Sequence, residues 1–387
     1  MLQAVRNLFR RQAESPGLAF SRPLVVMQSD DWGRVGVRDR EGYENLRAHG
    51  LRLGERAYDL YSLETAEDVS ALAALLGRHR DSSGRPPCLV MNVCTANLDF
   101  KKMHDGGFRR MEVLPLGKGL PGNWSRPGLF ESYRAGIEKG VFYPGVHGTT
   151  HCCPVAVETV LAEAGSRADL LRLLWEAETP YIHWRMPWIG YEYWNPEKPH
   201  AGFLAGERQC ELIRKACQNF SELFGMQPAS ACAPGYRSNR DTHRAWAEAG
   251  IRVAENGSGS GLRAPHVDEF GILHLYRTID LEPSQQELDI EKYVQIAGSC
   301  FARGLPVIIS VHSINFHSTL KDFRRPSLAA LDALLSALES RHPELLYVHD
   351  DDMYGIATQG RVHRGARIAV SAKRRDWSEI PAEQGAR

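Results

Sequence analysis

Leu24-Val25-Val26-Met27-Gln28-Ser29-Asp30-Asp31-Trp32-Gly33 is an apolar run that closes on two adjacent carboxylates. As a buried strand it delivers both acids at its carboxyl end. A second such run, Val141-Phe142-Tyr143-Pro144-Gly145-Val146, leads into His147-Gly148-Thr149-Thr150-His151. An acidic pair at one strand end and an H-x-x-x-H pair at another suit a mononuclear hydrolytic metal site. One carboxylate ligates, the other takes a proton, and two imidazoles complete the cage.

Outward from these two runs, short apolar stretches alternate with helical patterns. Strands are predicted at 23–29, 88–94, 141–146, 229–233, 251–254, 273–280, 306–311 and 345–348. Amphipathic helices are predicted near 65–79, 129–139, 206–224, 241–249, 287–302 and 327–341. The last carries Leu328, Leu331, Leu334, Leu335 and Leu338 on one stripe. Such alternation predicts parallel β/α units. Asp30-Asp31, His147, Pro234-Gly235 and His312 all fall at or just past the carboxyl ends of different strands. Barrel enzymes assemble their sites in this way, and the glycine-rich phosphate loop of a doubly wound sheet is missing. The expected fold is therefore α/β, a (β/α) barrel of about seven parallel strands spanning 22–360. A helical extension at 1–21 precedes it, and a polar basic tail at 361–387, expected to fray, follows. Two insertions interrupt it: a Gly/Pro-rich loop near 95–128, and a segment near 175–205 that holds four of the chain's eight tryptophans. This second segment offers either stacking faces for sugar rings or a small core of its own.

Among 387 residues, 43% are hydrophobic and 24% charged, and the formal net charge is zero. Such a balance leaves no basic field to argue for nucleic acid or an anionic membrane. No run approaches the about 20 apolar residues of a membrane span. The eight cysteines follow no disulfide-scaffold spacing, so free thiols in a reducing cytoplasm are expected, as is a cytoplasmic location, with no secretion signal visible.

Each candidate has an ordinary alternative. His147 and His151 lie four apart, so one turn places both rings on one side, yet a capped helix start would read the same. Asp-Asp-Trp-Gly also spells a plain strand-ending turn. Co-occurrence raises the case: two histidines and one aspartate leave a fourth position for water, and the second carboxylate can deprotonate it. His312, at the end of Pro306-Val307-Ile308-Ile309-Ser310-Val311, is either a core histidine or a general acid for a leaving amine; His317, five residues on, is the lesser choice. Cys152-Cys153 would make a closed structural site if they joined the histidines, leaving the acids and His312 without a role. Asp350-Asp351-Asp352 reads as a solvated turn at the same end of the fold.

The order of these motifs resembles that of the polysaccharide deacetylase superfamily, carbohydrate esterase family 4. It comprises Asp-Asp after a strand, H-x-x-x-H after another, Pro234-Gly235-Tyr236 after a third, and a strand-borne histidine near the carboxyl end. The resemblance covers roughly 22–350 and implies a distorted (β/α) barrel and a metal-dependent deacetylase. It makes Asp30 the catalytic base, Asp31, His147 and His151 the metal triad, and His312 the general acid. Asp280 would be the carboxylate that orients that histidine. Zn2+ is the expected metal, with Co2+ or Ni2+ as alternatives.

Two positions depart from the family. Its third motif places an arginine, paired with the base, where Cys232 stands; Arg237 or Arg34 is then expected to supply the charge. A leucine lining the acyl pocket is replaced by Ser310. Deprotonation of an activated water by Asp30, oxyanion stabilisation by the backbone N–H of Tyr236 and protonation of the amine by His312 complete the expected chemistry. Tyr236, Arg237, Trp32 and Trp188 are the expected substrate and oxyanion contacts. The expected substrate is an N-acetylated sugar or glycan precursor. The chain then acts as a hydrolase on C–N amide bonds. A near neighbour of that function is a chitooligosaccharide-deacetylase-like enzyme acting on a disaccharide. A different class is a carbohydrate-binding barrel that has lost turnover.

Overall fold

The computed structural model describes residues 17–197, 200–259, 261–362, 368–370 and 372–375. The helix expected within 1–21 therefore falls largely outside the described residues. Gly17–Phe20, its last part, is instead a strand, paired antiparallel with Ala372–Arg375. The tail expected to fray supplies that partner.

Every predicted strand is present in one ten-stranded sheet. Leu24–Trp32 lies between Leu89–Val93 and Val307–Ser310, parallel to both. Phe142–Val146, Ser230–Cys232, Val253–Asn256 and Leu273–Tyr276 follow outward in parallel. After Arg277-Thr278 the same segment resumes as Ile279–Asp280 and pairs with Val307–Ser310. One stretch of chain thus lies between the two ends of the strand order. The fold is α/β with a mostly parallel central sheet. The expectation of about seven strands meets a sheet of ten. That number includes the antiparallel His266–Val267 and the two-residue pieces Ile279–Asp280 and Leu346–Tyr347.

Helices cover the sheet where the apolar period placed them, from Ala66–Leu76 to Arg324–Arg341, which buries Leu331, Leu334, Leu335 and Leu338. The pattern missed Arg40–Ala48, Pro154–Glu163 and Ser166–Glu176. The 95–128 loop contains a short hairpin of Ala96–Leu98 with Val113–Pro115 and the helix Phe100–Asp105. Asp350-Asp351-Asp352 is the first turn of the helix Asp350–Gln359, where acids complement the helix dipole. No helix of the described residues is long and apolar enough to cross a membrane.

Side-chain alternation decides what the strands deliver. Val25 and Met27 pack with the covering helices, while Leu24 and Val26 join Val253, Leu273, Leu275, Ile308 and Leu346 in a separate cluster. Two residues further along the inner face this cluster gives way to polar groups: Gln28, Asn92, Glu255, Arg277 and Ser310, all buried. An apolar floor therefore carries a polar layer toward the carboxyl ends of the strands.

Candidate metal and hydrolytic site

Asp30 and Asp31 are neighbours on a strand, where alternate residues face opposite ways. The chain escapes that rule by a bulge. Register with Leu89–Val93 shifts between Ser29 and Trp32, and Asp31 takes φ +73°, a left-handed conformation costly for a residue with Cβ. Both carboxylates consequently reach one cavity of about 780 Å³, together with His147, His151, Tyr236 and His312. His151 and Tyr236 also hold positive φ, +71° and +55°. Strain of this kind persists where the surroundings over-determine it.

Asp31, His147 and His151 converge. The Asp31 Oδ1 atom is 3.7 Å from His147 Nε2 and 3.6 Å from His151 Nε2. His147 turns its other nitrogen, Nδ1, to the carbonyl of Cys232 at 2.9 Å, which leaves Nε2 a lone pair facing Asp31. Arg34 donates to Asp31 Oδ2 at 3.1 Å and stacks on Tyr61, whose hydroxyl donates to the Asp31 carbonyl at 2.7 Å. Oδ1 is buried with no hydrogen-bond partner among the described residues. Burial works against the Asp31 carboxylate, but Arg34 and the two imidazoles hold it well below the usual carboxylate range. Burial pushes both histidines below their ordinary value, so they stand neutral with lone pairs available.

Asp30 is tied differently. Arg277 Nη2 donates to its Oδ1 at 2.6 Å and Nη1 to its Oδ2 at 2.8 Å, a bidentate pair. Asn92 Nδ2 adds a bond to Oδ1 at 2.9 Å. Burial raises the Asp30 pKa, but Arg277, with His147 and His312 behind it, overcomes that and keeps the acid ionised. Arg277 is buried and also donates to Ser310 Oγ at 2.8 Å and Tyr236 Oη at 2.5 Å. Arg277 Nη2 also donates to Glu255 Oε2 at 3.1 Å; burial, with Asp350 nearby, raises Glu255 well above its ordinary value, and burial raises Asp350 as well.

This corrects the expected source of the charge. Arg34 pairs with Asp31 rather than Asp30, and Arg237 lies over the Trp194 ring. The base's arginine comes instead from just past the end of Leu273–Tyr276, two strands beyond Ser230–Cys232 in the sheet. The two departures from the family explain why it fits. Cys232 Sγ sits 3.6 Å from Asp30 Oδ2 and 3.9 Å from Arg277 Nη2, and Ser310 accepts from the guanidinium. Small polar side chains at both positions leave room for it.

His312 Nε2 is 3.8 Å from Asp30 Oδ2. Its Nδ1 meets Glu282 Oε1 at 2.6 Å, and the same oxygen accepts the His312 backbone N–H at 3.0 Å. Asn315 Nδ2 fixes the other carboxylate oxygen at 2.6 Å. Burial alone would lower the His312 pKa, but Glu282, then Asp30 and Asp31, push it up to about 9. Asp280, expected in that role, is exposed and accepts from Ser258 Oγ at 3.2 Å. The orienting acid is two residues later, Glu282.

Three further expectations need correction. Trp32 is completely buried; its Nε1 donates to Ser29 Oγ and its ring stacks on Phe316. Trp188 lies under Arg167, outside the cavity wall; Trp184, with Tyr181, His183 and Tyr191, lines it instead. Tyr236 does line the cavity, but its backbone N–H donates to the Ala233 carbonyl at 2.8 Å and is not free for an oxyanion. Cys152 and Cys153 are buried free thiols whose pKa burial pushes up to about 12 and about 11. His317 meets Glu64 at 3.2 Å behind Tyr61, away from the cavity.

A second set, Asp30, His147 and Cys232, also lies close enough for one ion. Both Asp30 oxygens are taken by Arg277, and burial raises the Cys232 thiol well above its ordinary value. The Asp31 set has the open donors.

No family model matches the chain, and no curated protein does. Solved structures match. One is a polysaccharide deacetylase from Mycobacterium smegmatis, at 13% identity over 86% of this chain and 89% of that one, TM-score 0.43. A 4-alpha-glucanotransferase from Thermococcus litoralis matches at 10% identity over 86% and 40%, TM-score 0.47. A family 4 carbohydrate esterase (CE4) pseudoenzyme from Bacillus anthracis matches at 8% identity over 84% and 63%, TM-score 0.34. Polysaccharide deacetylases and CE4 members, a pseudoenzyme among them, are thus among the solved structures similar to this chain.

Proposed function

We propose that this chain is a metal-dependent hydrolase on a distorted (β/α) barrel. It removes an N-acetyl or similar acyl group from an amino sugar or glycan precursor. The observation that carries this is Asp31 Oδ1, buried without a hydrogen-bond donor and faced by two imidazole Nε2 atoms. One carboxylate and two neutral histidines fit a divalent cation of the zinc, cobalt or nickel kind. Such a cation, when bound, supplies a Lewis acid that polarises the acyl carbonyl and acidifies water.

The chain's own residues divide the remaining work. Asp30, ionised and held bidentate by Arg277, accepts the proton of the attacking water. His312, kept protonated by Glu282, gives a proton to the departing amine nitrogen. Arg34 and Tyr61 fix Asp31. The aromatic wall of Tyr58, Tyr181, Trp184 and Tyr191 offers apolar faces to a sugar ring. A carbohydrate-binding barrel without turnover is the second reading, suggested by the missing motif arginine; Arg277, paired with the base, favours the hydrolase.

The test is acetate release from N-acetylglucosamine saccharides by zinc- or cobalt-loaded protein, with metal analysis of variants. Asp30→Asn is expected to keep its metal and lose turnover by about 10²–10⁴-fold. His147→Ala and His151→Ala are expected to lose the metal. Turnover that survives Asp30→Asn, or metal retained without both histidines, overturns the proposal.

A further inference from the structure

We propose that the cleft is closed at one end by a latch centred on Asp59. The acylated sugar is then a chain terminus or a short free saccharide, never an internal unit of a polymer. This rests on the hydrolase reading above and narrows its substrate.

Two segments distant in sequence form one wall of the cavity: Arg56, Ala57 and Tyr58 from the loop after Gly54, and His183, Trp184 and Tyr191 from the aromatic insertion. Asp59 bolts them together. Its carboxylate is fully buried and accepts the backbone N–H groups of Gly54, Glu55 and Arg56 at 3.0, 2.9 and 3.3 Å. From the insertion it accepts Trp184 Nε1 at 3.0 Å, Arg185 Nε at 2.8 Å and Arg185 Nη2 at 2.9 Å. The Trp184 ring is packed against two guanidinium groups, Arg56 at 4.3 Å and Arg185 at 4.1 Å. Charge-assisted bonds to a buried acceptor make this a fixed wall rather than a loose rim.

Away from the latch residues the cavity adjoins a second depression of about 290 Å³ and shares Tyr236, Gln285 and His312 with it. Its other walls are polar: Ser258, Asp280, Glu282 and Gln286. Among the described residues the cavity thus continues past His312 and is walled by the latch elsewhere, which gives a saccharide its way to extend from the hydrolytic centre. A polymer reacting at an internal unit needs two.

The experiment uses the metal-loaded protein and N,N′,N″-triacetylchitotriose, with fragmentation mass spectrometry of the end-labelled product. Acetate loss confined to one terminal unit is expected. Arg185→Ala, which removes the latch from the insertion side without changing a cavity-lining residue, is expected to raise the rate on soluble chitin polymer relative to the trisaccharide by about tenfold. Asp59→Asn serves as a second latch variant, and thermal melting checks that each variant is folded. Deacetylation of the middle unit, or a polymer-to-trisaccharide ratio unmoved in both folded variants, overturns the inference and leaves the hydrolase reading standing. No acetate from any saccharide overturns both.

Discussion

Asp30 stands ionised and almost wholly buried at the edge of the cavity, and a buried carboxylate without a cation costs several kcal/mol. Arg277 meets that need from 247 residues away. Its phase was readable: in Leu273-His274-Leu275-Tyr276-Arg277-Thr278-Ile279-Asp280 it shares strand parity with Leu273 and Leu275, both inward. A single charge at an inward position of an apolar strand was the available signal. Arg34 and Arg237 were expected in that role because they lie close to the motifs in sequence, although parallel strands choose partners across the sheet. Arg277→Ser is expected to leave Asp30 unpaired, destabilise the fold by about 3–5 kcal/mol and lower kcat by about 10²-fold. Adding Cys232→Arg restores a guanidinium beside Asp30 from the other strand. That double variant is expected to regain at least about tenfold of the loss. Denaturant melts and steady-state rates on all three proteins check it, and a double variant no better than the single one refutes the exchange.

At the scale of elements, the strand ends were legible and the loops were not. His147-Gly148-Thr149-Thr150-His151 announces two ligands, but nothing in its spelling says what holds the loop. The structure gives that task to Glu192, inside the aromatic insertion. Its buried carboxylate accepts the Thr149 N–H at 2.9 and 2.7 Å and the Thr149 hydroxyl at 2.6 Å, while the Glu192 N–H donates to the His151 carbonyl at 3.1 Å. Burial, opposed by these bonds, pushes its pKa up to about 7. The insertion, expected to serve sugar stacking or a core of its own, thus also fixes His151 at positive φ. Neither Asp59 nor Glu192 had a periodic or motif signature, since a lone acid in a loop reads as solvated. Partners outside the ligand set commonly govern metal affinity by about 10–100-fold. Glu192→Gln is expected to weaken zinc binding to that extent with all three ligands intact. Competition against a chelator of known affinity measures it, and an unchanged dissociation constant removes Glu192 from this role.

For the whole molecule, parallel strands with covering helices were legible because each strand is buried on both faces and therefore spelled as a continuous apolar run. The pairing of Gly17–Phe20 with Ala372–Arg375 was not, because four-residue strands at opposite ends of the chain carry no local pattern. The sheet gathers Asp31, His147 and His151 from two separate strand ends onto one face, so the donor set exists only in the folded chain. A cation that binds the native state alone stabilises it by RT ln(1 + [L]/Kd), about 4 kcal/mol at a thousandfold excess over Kd. For a chain of this length the unfolding entropy converts that into a rise in Tm on the order of 5 °C. Zinc is therefore expected to raise the Tm of the chelated wild-type protein and of Asp30→Asn alike, since Arg277 rather than the ion holds Asp30. His147→Ala and His151→Ala are expected to melt at the same temperature with and without zinc. Differential scanning calorimetry at fixed protein concentration separates the cases: a zinc-dependent rise in the histidine variants would place the ion elsewhere, and its loss in Asp30→Asn would make Asp30 a ligand instead of a base.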